Sequence, residues 1–232
     1  MIEIIASTVE DALKIERCGG ERIELVSALS EGGLTPSFGI IKNVISSVRI
    51  PVNVIIRPHS KNFIYSEEDL KVMVEDIHLV KELGANGVVI GVLTEGNEID
   101  NSKLERLIKA AGELDITFHR AIEEVNNLVE GVKVLSKYPQ ITNILTSGGS
   151  GRIEDNIEVL NEMNRHSGNI KILAGGGLNF NNIEDIIRNS SLTDYHFGTA
   201  VREGNSFYGN IDEDRLRRLV ELIKDTREVA KS

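Results

Sequence analysis

Four side chains that could bind an anion or transfer a proton lie at or near the ends of short β-branched runs. Glu24 lies in RIELV, Arg57 follows PVNVII, His119 ends DITFH and His196 lies in TDYHF. Histidine and carboxylate groups are common acids and bases in enzymes, and arginine binds a carboxylate or phosphate through paired hydrogen bonds. Glu24, His119 and His196 are therefore candidate catalytic residues, and Arg57 is a candidate binding residue for a small anionic ligand.

The alternation of side chains along a strand predicts that these groups face one interior. Successive strand residues point to opposite faces. In DITFH the apolar Ile116 and Phe118 are expected to face helices, which turns His119 inward. The same rule turns six other polar side chains inward: Glu3, Glu24, Asn53, Arg57, Thr117 and His196. A buried charge is costly unless it is paired, so a structural Glu24–Arg57 ion pair with two hydrogen-bonded histidines remains an alternative to a ligand site. Glu3 lies lower and fits either interpretation.

Glycine-rich turns follow the last two runs. LAGGGL places Gly176 and Gly177 after the seventh run, and FGTAV places Thr199 after the eighth. Glycine lets backbone N–H groups approach an anion, and a threonine hydroxyl adds a donor. Gly176, Gly177 and Thr199 are candidate phosphate-binding residues, with simple tight turns as the alternative.

Eight predicted strands alternate with eight predicted helices. The strands are Ile2–Ala6, Arg22–Val26, Ile50–Ile56, Asn86–Val92, Asp115–His119, Thr142–Thr146, Ile170–Ala174 and Thr193–Phe197. The helices are Val9–Arg17, Ser37–Ser46, Ser66–Leu83, Ser102–Glu113, Val125–Lys137, Asn156–Arg165, Ile183–Arg188 and Asp212–Lys231. This alternation favours parallel strands in an α/β fold. We expect residues 1–232 to form a single (β/α)₈ TIM barrel, with a doubly wound open sheet as the alternative.

The long connections are predicted to lie at one end of the barrel. SALSEGGLTP, RPHSKNFIY and LTEGNEID each follow a strand, whereas the connections from helix to strand are short. Active sites of TIM barrels lie at the end where the strands have their carboxyl termini. His59, in the second of these loops, is therefore placed where it could reach a ligand. The charged final segment, from Asp212 onward, is interpreted as a helix whose charges face solvent.

Composition limits the classes of function. The chain has 232 residues, one cysteine and a formal net charge of −10. The acidic balance argues against nucleic acid and anionic membranes as partners. Neither a signal peptide nor a membrane-spanning run is recognisable, and Cys18, as the single cysteine, excludes an internal disulfide. A cytoplasmic protein is expected.

Eight segments together resemble the CutC family, named for copper homeostasis. They are RIELV, EGGLTPSFG, IIRPHSKNFIYSEED, GVVIGVL, ITFHRAIE, ILTSGG, ILAGGGL and HFGTAV. The resemblance implies a TIM barrel, a cytoplasmic homo-oligomer and an association with copper. The family motifs carry over to Glu24, Arg57, His119 and Arg120, which adds Arg120 to the candidate binding residues.

Three functions are consistent with these features: an isomerase or lyase acting on a small anionic or phosphorylated metabolite, a copper-binding protein, or a non-catalytic metabolite sensor. In the enzyme hypothesis Arg57 holds the anion and His119 transfers a proton. Glu24 is either a second acid or base or the group that orients an imidazole, and His196 assists the proton transfer or polarises a carbonyl. Cytosolic copper is Cu(I), which prefers thiolate and thioether ligands. Cys18 is predicted at the opposite end of the barrel, so we expect it to contribute little to copper binding.

Overall fold

The computed structural model describes residues 1–229 and contains eight strands, each followed by a helix. The strands are β1 (Ile2–Ala6), β2 (Arg22–Leu25), β3 (Val52–Ile55), β4 (Gly87–Ile90), β5 (Asp115–Phe118), β6 (Ile141–Thr146), β7 (Lys171–Ala174) and β8 (Asp194–Phe197). The helices are α1 (Val9–Arg17), α2 (Phe38–Ser47), α3 (Glu67–Glu82), α4 (Asn101–Ala111), α5 (Leu128–Leu135), α6 (Ile157–His166), α7 (Ile183–Asn189) and α8 (Glu213–Val229). The predicted end of the last helix, at Lys231, lies outside the described residues.

The strands form a closed parallel barrel in the order in which they occur along the chain. β1 closes the barrel by pairing with β8, with Glu3 opposite His196 in the register. The predicted TIM barrel is therefore confirmed, and the open-sheet alternative is wrong. No helix in residues 1–229 is long and apolar enough to cross a membrane.

Two separate groups of apolar side chains show that strand parity was predicted correctly. The large core lies between the sheet and the helices, and it includes Ile2, Ile4 and Ile23. A second cluster consists of Ile5, Val26, Ile55 and Val89, which lie on the opposite strand faces, inside the barrel. Most of the remaining barrel interior is polar, so the interior is available for charged groups as well as for packing.

The long loops at the carboxyl ends of the strands are ordered by local contacts. The loop after β2 contains a 3₁₀ helix (Leu29–Glu31) and closes through an antiparallel bridge between Ser27 and Leu34. The segment after β8 contains two further 3₁₀ helices and is tied by a bridge between Arg202 and Ile211. These two segments form part of the mouth of the barrel.

Candidate functional site

A cavity of about 980 Å³ opens at the carboxyl ends of the strands. All eight candidate residues from the sequence line it: Glu24, Arg57, His119, Arg120, Gly176, Gly177, His196 and Thr199. Parity and strand order therefore placed these residues together correctly. Their roles depend on what each side chain contacts.

On the β1–β2–β8 side, the charged groups pair with one another. Nδ1 of His196 lies 2.7 Å from Oε1 of Glu3, and Arg22 donates to the other oxygen of Glu3 through Nε. On the other side of the imidazole, Nε2 of His196 lies 3.6 Å from Oε2 of Glu24. We call Glu3, Arg22, Glu24 and His196 the paired cluster. Glu3 is thus an ion-pair residue below the cavity, which settles its two sequence-based interpretations in favour of the structural one.

Burial and charge set the proton affinities in the paired cluster. Burial raises the pKa of Glu24 to about 7, although the nearby His196 partly opposes the shift. Burial alone would lower the pKa of His196, but the hydrogen bond to Glu3 and the charges of Glu24 and Glu3 outweigh it and raise that pKa. Burial would likewise raise the pKa of Glu3, yet Arg22 and His196 keep it below its usual value. Glu24 is therefore the carboxyl that titrates near neutral pH.

Arg57 follows β3, which is next to β2 in the barrel, and it has a different environment. Its Nη1 donates to the carbonyl oxygens of Glu31 (2.9 Å) and Gly33 (3.1 Å), and its Nη2 donates to that of Ser60 (3.4 Å). The guanidinium carbon lies 4.9 Å from the centre of the Phe63 ring. Its Nε is buried without a partner. Arg57 forms no ion pair with any carboxylate in residues 1–229, so the predicted alternative of a Glu24–Arg57 pair is wrong: the loop after β2 turns its carbonyls toward the guanidinium instead.

His119 lies beside Arg57 and is held in one orientation. The backbone N–H of Ala121 donates to its Nδ1 at 3.1 Å, so the proton of the neutral ring is on Nε2. This Nε2 is buried and has no acceptor within the described part of the chain. Gly91 leaves room for the ring, since an added Cβ there would lie 2.4 Å from Cε1 of His119. Burial, with a contribution from the charge of Arg57, lowers the pKa of His119 to about 3, so the imidazole is neutral at physiological pH.

The glycine turns after β7 and β8 present free backbone donors to the cavity. The N–H groups of Gly176, Gly177 and Thr199 donate to no acceptor in residues 1–229. The Arg120 guanidinium lies against this turn, because an added Cβ at Gly176 would be 2.9 Å from its Cζ. Arg120 is also paired with Glu123 at 2.7 Å, so its charge is already compensated.

Two arginines at the cavity were missed in the sequence. Arg215 and Arg218 lie on α8 and line the cavity, which corrects the interpretation of this helix as a purely solvated charged face. The signal available in the sequence was weak, because α8 is charged on several sides. His59 also differs from expectation: it does not line the cavity, and its Nε2 lies 3.5 Å from Asp69.

The donor groups do not fit a copper site within one chain. Cys18 caps the carboxyl end of α1, away from the cavity, and its Sγ lies 3.8 Å from Oε2 of Glu213. Burial raises the pKa of this thiol, which disfavours the thiolate that Cu(I) binds. Met73 and Met163 are buried in the helical core. Within residues 1–229, no group of three or more His, Cys, Asp or Glu side chains is arranged to hold a metal ion.

Comparison with known proteins identifies the family. The model of the CutC family matches residues 1–201. A protein named CutC from Histophilus somni (strain 2336) is 38% identical over 210 residues, covering 90% of this chain and 86% of that protein. Its counterpart from Salmonella typhimurium (strain LT2) is 37% identical over 227 residues, covering 94% of this chain and 91% of that protein. The crystal structure of the Streptococcus agalactiae protein CutC, named for copper homeostasis, has a TM-score of 0.80 at 32% identity and covers 86% of this chain and 99% of that one. This chain therefore belongs to the CutC family.

Proposed function

We propose that this protein is an enzyme of the isomerase or lyase type that binds a small anionic or phosphorylated metabolite in the cavity. The observation that carries the proposal is the environment of Arg57, a buried guanidinium that contacts carbonyl oxygens and an aromatic ring but no carboxylate of residues 1–229. Carbonyl dipoles solvate a cation without neutralising it, and an uncompensated buried charge is costly. A ligand carboxylate or phosphate supplies the missing negative charge.

The charge balance of the cavity supports an anionic ligand. Four arginines line it, and Glu24 is the one acidic lining residue in the described chain. The whole chain carries a net charge of −10, so the lining of this cavity is basic within an acidic protein. A concave basic region focuses the field and raises the local concentration of anions.

The proton affinities favour Glu24 as the acid or base. Its pKa of about 7 lets it give or accept a proton at physiological pH. His119 is neutral there because burial lowers its pKa to about 3, so we assign it a hydrogen-bonding role through Nε2–H in place of the proton transfer expected from the sequence. The hydrogen bond to Glu3 and the two nearby carboxyl groups raise the pKa of His196, which favours its cationic form, and we assign it the role of polarising a ligand oxygen.

Deuterium exchange tests this assignment without knowledge of the natural substrate. Phosphorylated hydroxy-aldehydes, hydroxy-ketones and keto acids are incubated with the protein in D₂O and examined by NMR for exchange at carbons next to a carbonyl. We expect the wild type to catalyse exchange in at least one compound and Glu24→Gln to lose it while still binding. Exchange that persists in Glu24→Gln contradicts the role of Glu24; a panel that neither binds nor exchanges contradicts the proposal.

Copper handling is the second candidate, and the name of the Streptococcus agalactiae relative is the observation that favours it. Since the donor set of one chain does not fit Cu(I), tight binding requires Cys18 from more than one chain. Titration of Cu(I) into wild type and Cys18→Ser under reducing conditions tests this: a stoichiometric site lost in the variant supports a shared site. A cytoplasmic location and homo-oligomer formation stay predictions from the family.

A further inference from the structure

Three arginines at the cavity have no acidic partner in the described chain. Eight of the fourteen arginines form an ion pair with a carboxylate of residues 1–229: Arg17, Arg22, Arg106, Arg120, Arg152, Arg188, Arg202 and Arg217. Of the other six, Arg57, Arg215 and Arg218 line the cavity. Surface arginines commonly lack partners, but three around one concave site in an acidic protein require a physical reason.

The two arginines on α8 form a second basic group beside the glycine turns. Nε and Nη2 of Arg215 donate to the carbonyl of Ala200 at 3.1 and 2.9 Å, and Nη2 also donates to Oδ1 of Asn205 at 2.6 Å. The guanidinium carbons of Arg215 and Arg218 lie 5.4 and 5.8 Å from the centre of the Phe180 ring. Two like charges close to one ring repel each other, and an anion between them removes that repulsion.

Backbone donors without an acceptor line the same cavity. The carbonyl of Ala200 accepts hydrogen bonds from Arg215. The residue before it, Thr199, has an N–H without an acceptor in the part of the chain that the structure describes. Phe180, whose ring both arginines approach, follows the turn that carries the free N–H groups of Gly176 and Gly177. We call Arg215, Arg218 and these three amide groups the α8 pole, and the guanidinium of Arg57 the β3 pole.

The barrel places the two poles on opposite sides of the cavity. In the closed order β1 to β8, four strand positions separate β3 from β7 in either direction. Arg57 follows β3, and the glycine turn of the α8 pole follows β7. The rest of that pole, Thr199, Arg215 and Arg218, follows β8, which is three strand positions from β3. Glu24, His119 and His196 also line the cavity, from β2, β5 and β8. A cavity of about 980 Å³ is large enough for a metabolite that reaches both poles.

We propose that the ligand carries two anionic groups, one at each end, and that the β3 pole and the α8 pole each bind one of them. The ligand is thus a bisphosphate or a phosphorylated carboxylic acid, with its reactive centre between the poles and next to Glu24. This inference rests on the proposed anion-binding function and narrows its substrate class.

Matched pairs of synthetic phosphates test the two-pole model. Alkane-diol bisphosphates with three to six carbons are compared with alkyl monophosphates of equal length by isothermal titration calorimetry at constant ionic strength. We expect at least one bisphosphate to bind about tenfold more tightly than its monophosphate, or more, since a second charged contact contributes at least about 1.4 kcal/mol. Arg57→Met and Arg218→Met should each reduce bisphosphate affinity to about the level of the monophosphate.

Arg165→Met is the matched control. Arg165 also has no carboxylate partner in residues 1–229, but it lies on α6 outside the cavity lining, so its replacement should leave both affinities unchanged. Arg218 is exposed, so Arg218→Met should fold. If Arg57→Met does not fold, Arg57→Lys replaces it in the same measurement. If bisphosphates bind no more tightly than monophosphates, or if only one pole affects them, the two-pole model is wrong while anion binding stands. If no phosphate compound binds, both proposals fail.

Discussion

Arg22 and Arg57 are buried to the same extent, with exposed fractions of 8% and 7%, and they belong to neighbouring segments of one barrel. Arg22 pairs with the carboxylate of Glu3 and donates to Oδ1 of Asn143 at 3.0 Å. Arg57 contacts three carbonyl oxygens and the ring of Phe63. The difference teaches that burial alone does not assign a role to a charged side chain. A carboxylate partner makes the charge structural, whereas carbonyl partners position it and leave it available to a ligand.

The polar contacts that begin at Arg22 extend through the barrel. From Arg22 the contacts continue through Asn143 to Asp194, with an Nδ2–Oδ2 distance of 3.5 Å, and Asp194 pairs with the amino terminus of Met1 at 3.1 Å. The paired cluster is therefore anchored at the end of the barrel opposite the cavity. The Arg57 side has no comparable connection in the described chain. Both arginines keep one buried nitrogen without a partner within residues 1–229, Nη2 of Arg22 and Nε of Arg57, so the difference between them lies in the carboxylate that only Arg22 contacts.

The largest loss of stability is expected when a buried ion pair is broken. Arg22→Met leaves the buried Glu3 carboxylate with His196 as its one remaining charged partner in the described chain. Breaking a buried pair costs about 3–5 kcal/mol, or roughly 6–20 °C in Tm for a chain of this size. Urea unfolding and thermal melting measure the loss.

The control for this variant is Arg106→Met. Arg106 pairs with Glu67 at 2.7 Å on the surface, where both side chains are exposed, and an exposed pair contributes about 1 kcal/mol or less. Equal losses in the two variants would mean that the paired cluster is not the stabilising feature that its burial indicates.

An intermediate effect on the free energy of unfolding is expected when His119 is replaced, and this effect depends on pH. The folded-state pKa of about 3 lies below the usual value of 6.5, so the neutral ring stabilises the fold fully above pH 6.5. This contribution is lost as the pH falls toward 3, at up to about 1.4 kcal/mol per pH unit. His119→Asn keeps an acceptor for the N–H of Ala121 and removes the titrating group. Urea unfolding at several values between pH 7 and pH 4 should therefore show a shallower loss of stability in the variant, whereas parallel curves would contradict the buried, neutral histidine.

The smallest effect is expected for the coupling between Glu24 and Arg57. The two side chains form no ion pair, so the stability changes of Glu24→Gln and Arg57→Met should add within about 0.5 kcal/mol in the double variant. Equilibrium unfolding of the wild type, both single variants and the double variant measures the coupling energy. Recovery of stability in the double variant would restore the structural Glu24–Arg57 pair that the observed contacts contradict.

The positions of the cavity side chains were predictable from the sequence, whereas their hydrogen-bond and ion-pair partners were not. The alternation of side chains along a strand is fixed by backbone geometry, so the strand pattern alone was enough to place Glu24, His119 and His196 around one interior. The partner of Arg57 depends on the path of the loop after β2, where Ala28 has the left-handed φ of 46° and helps to direct the carbonyls of Glu31 and Gly33 inward. A strand pattern contains no information about such a loop.

The contacts of two arginines, Arg22 and Arg215, were not predicted from the sequence. Arg22 is the first residue of β2, as predicted, but its pairing with Glu3 follows from the register between β1 and β2. Arg215 lies in the first turn of α8, and it reaches the cavity because the segment after β8 folds back through the Arg202–Ile211 bridge. Both outcomes depend on tertiary contacts between distant parts of the chain.

The most direct test of the role of Arg57 compares Arg57→Met with Arg22→Met in the presence and absence of inorganic phosphate at constant ionic strength. Phosphate at about ten times its Kd should add about 1.4 kcal/mol to wild-type stability, or roughly 3–6 °C in Tm. We predict that Arg22→Met is strongly destabilised but keeps this shift. Arg57→Met should lose about 1–2 kcal/mol of stability, since water can replace its bonds to the carbonyls, and its phosphate shift should be smaller than that of the wild type, because only the α8 pole still binds phosphate. A phosphate shift that is undiminished in Arg57→Met, or that is absent from the wild type, would contradict the assignment of Arg57 to an anionic ligand.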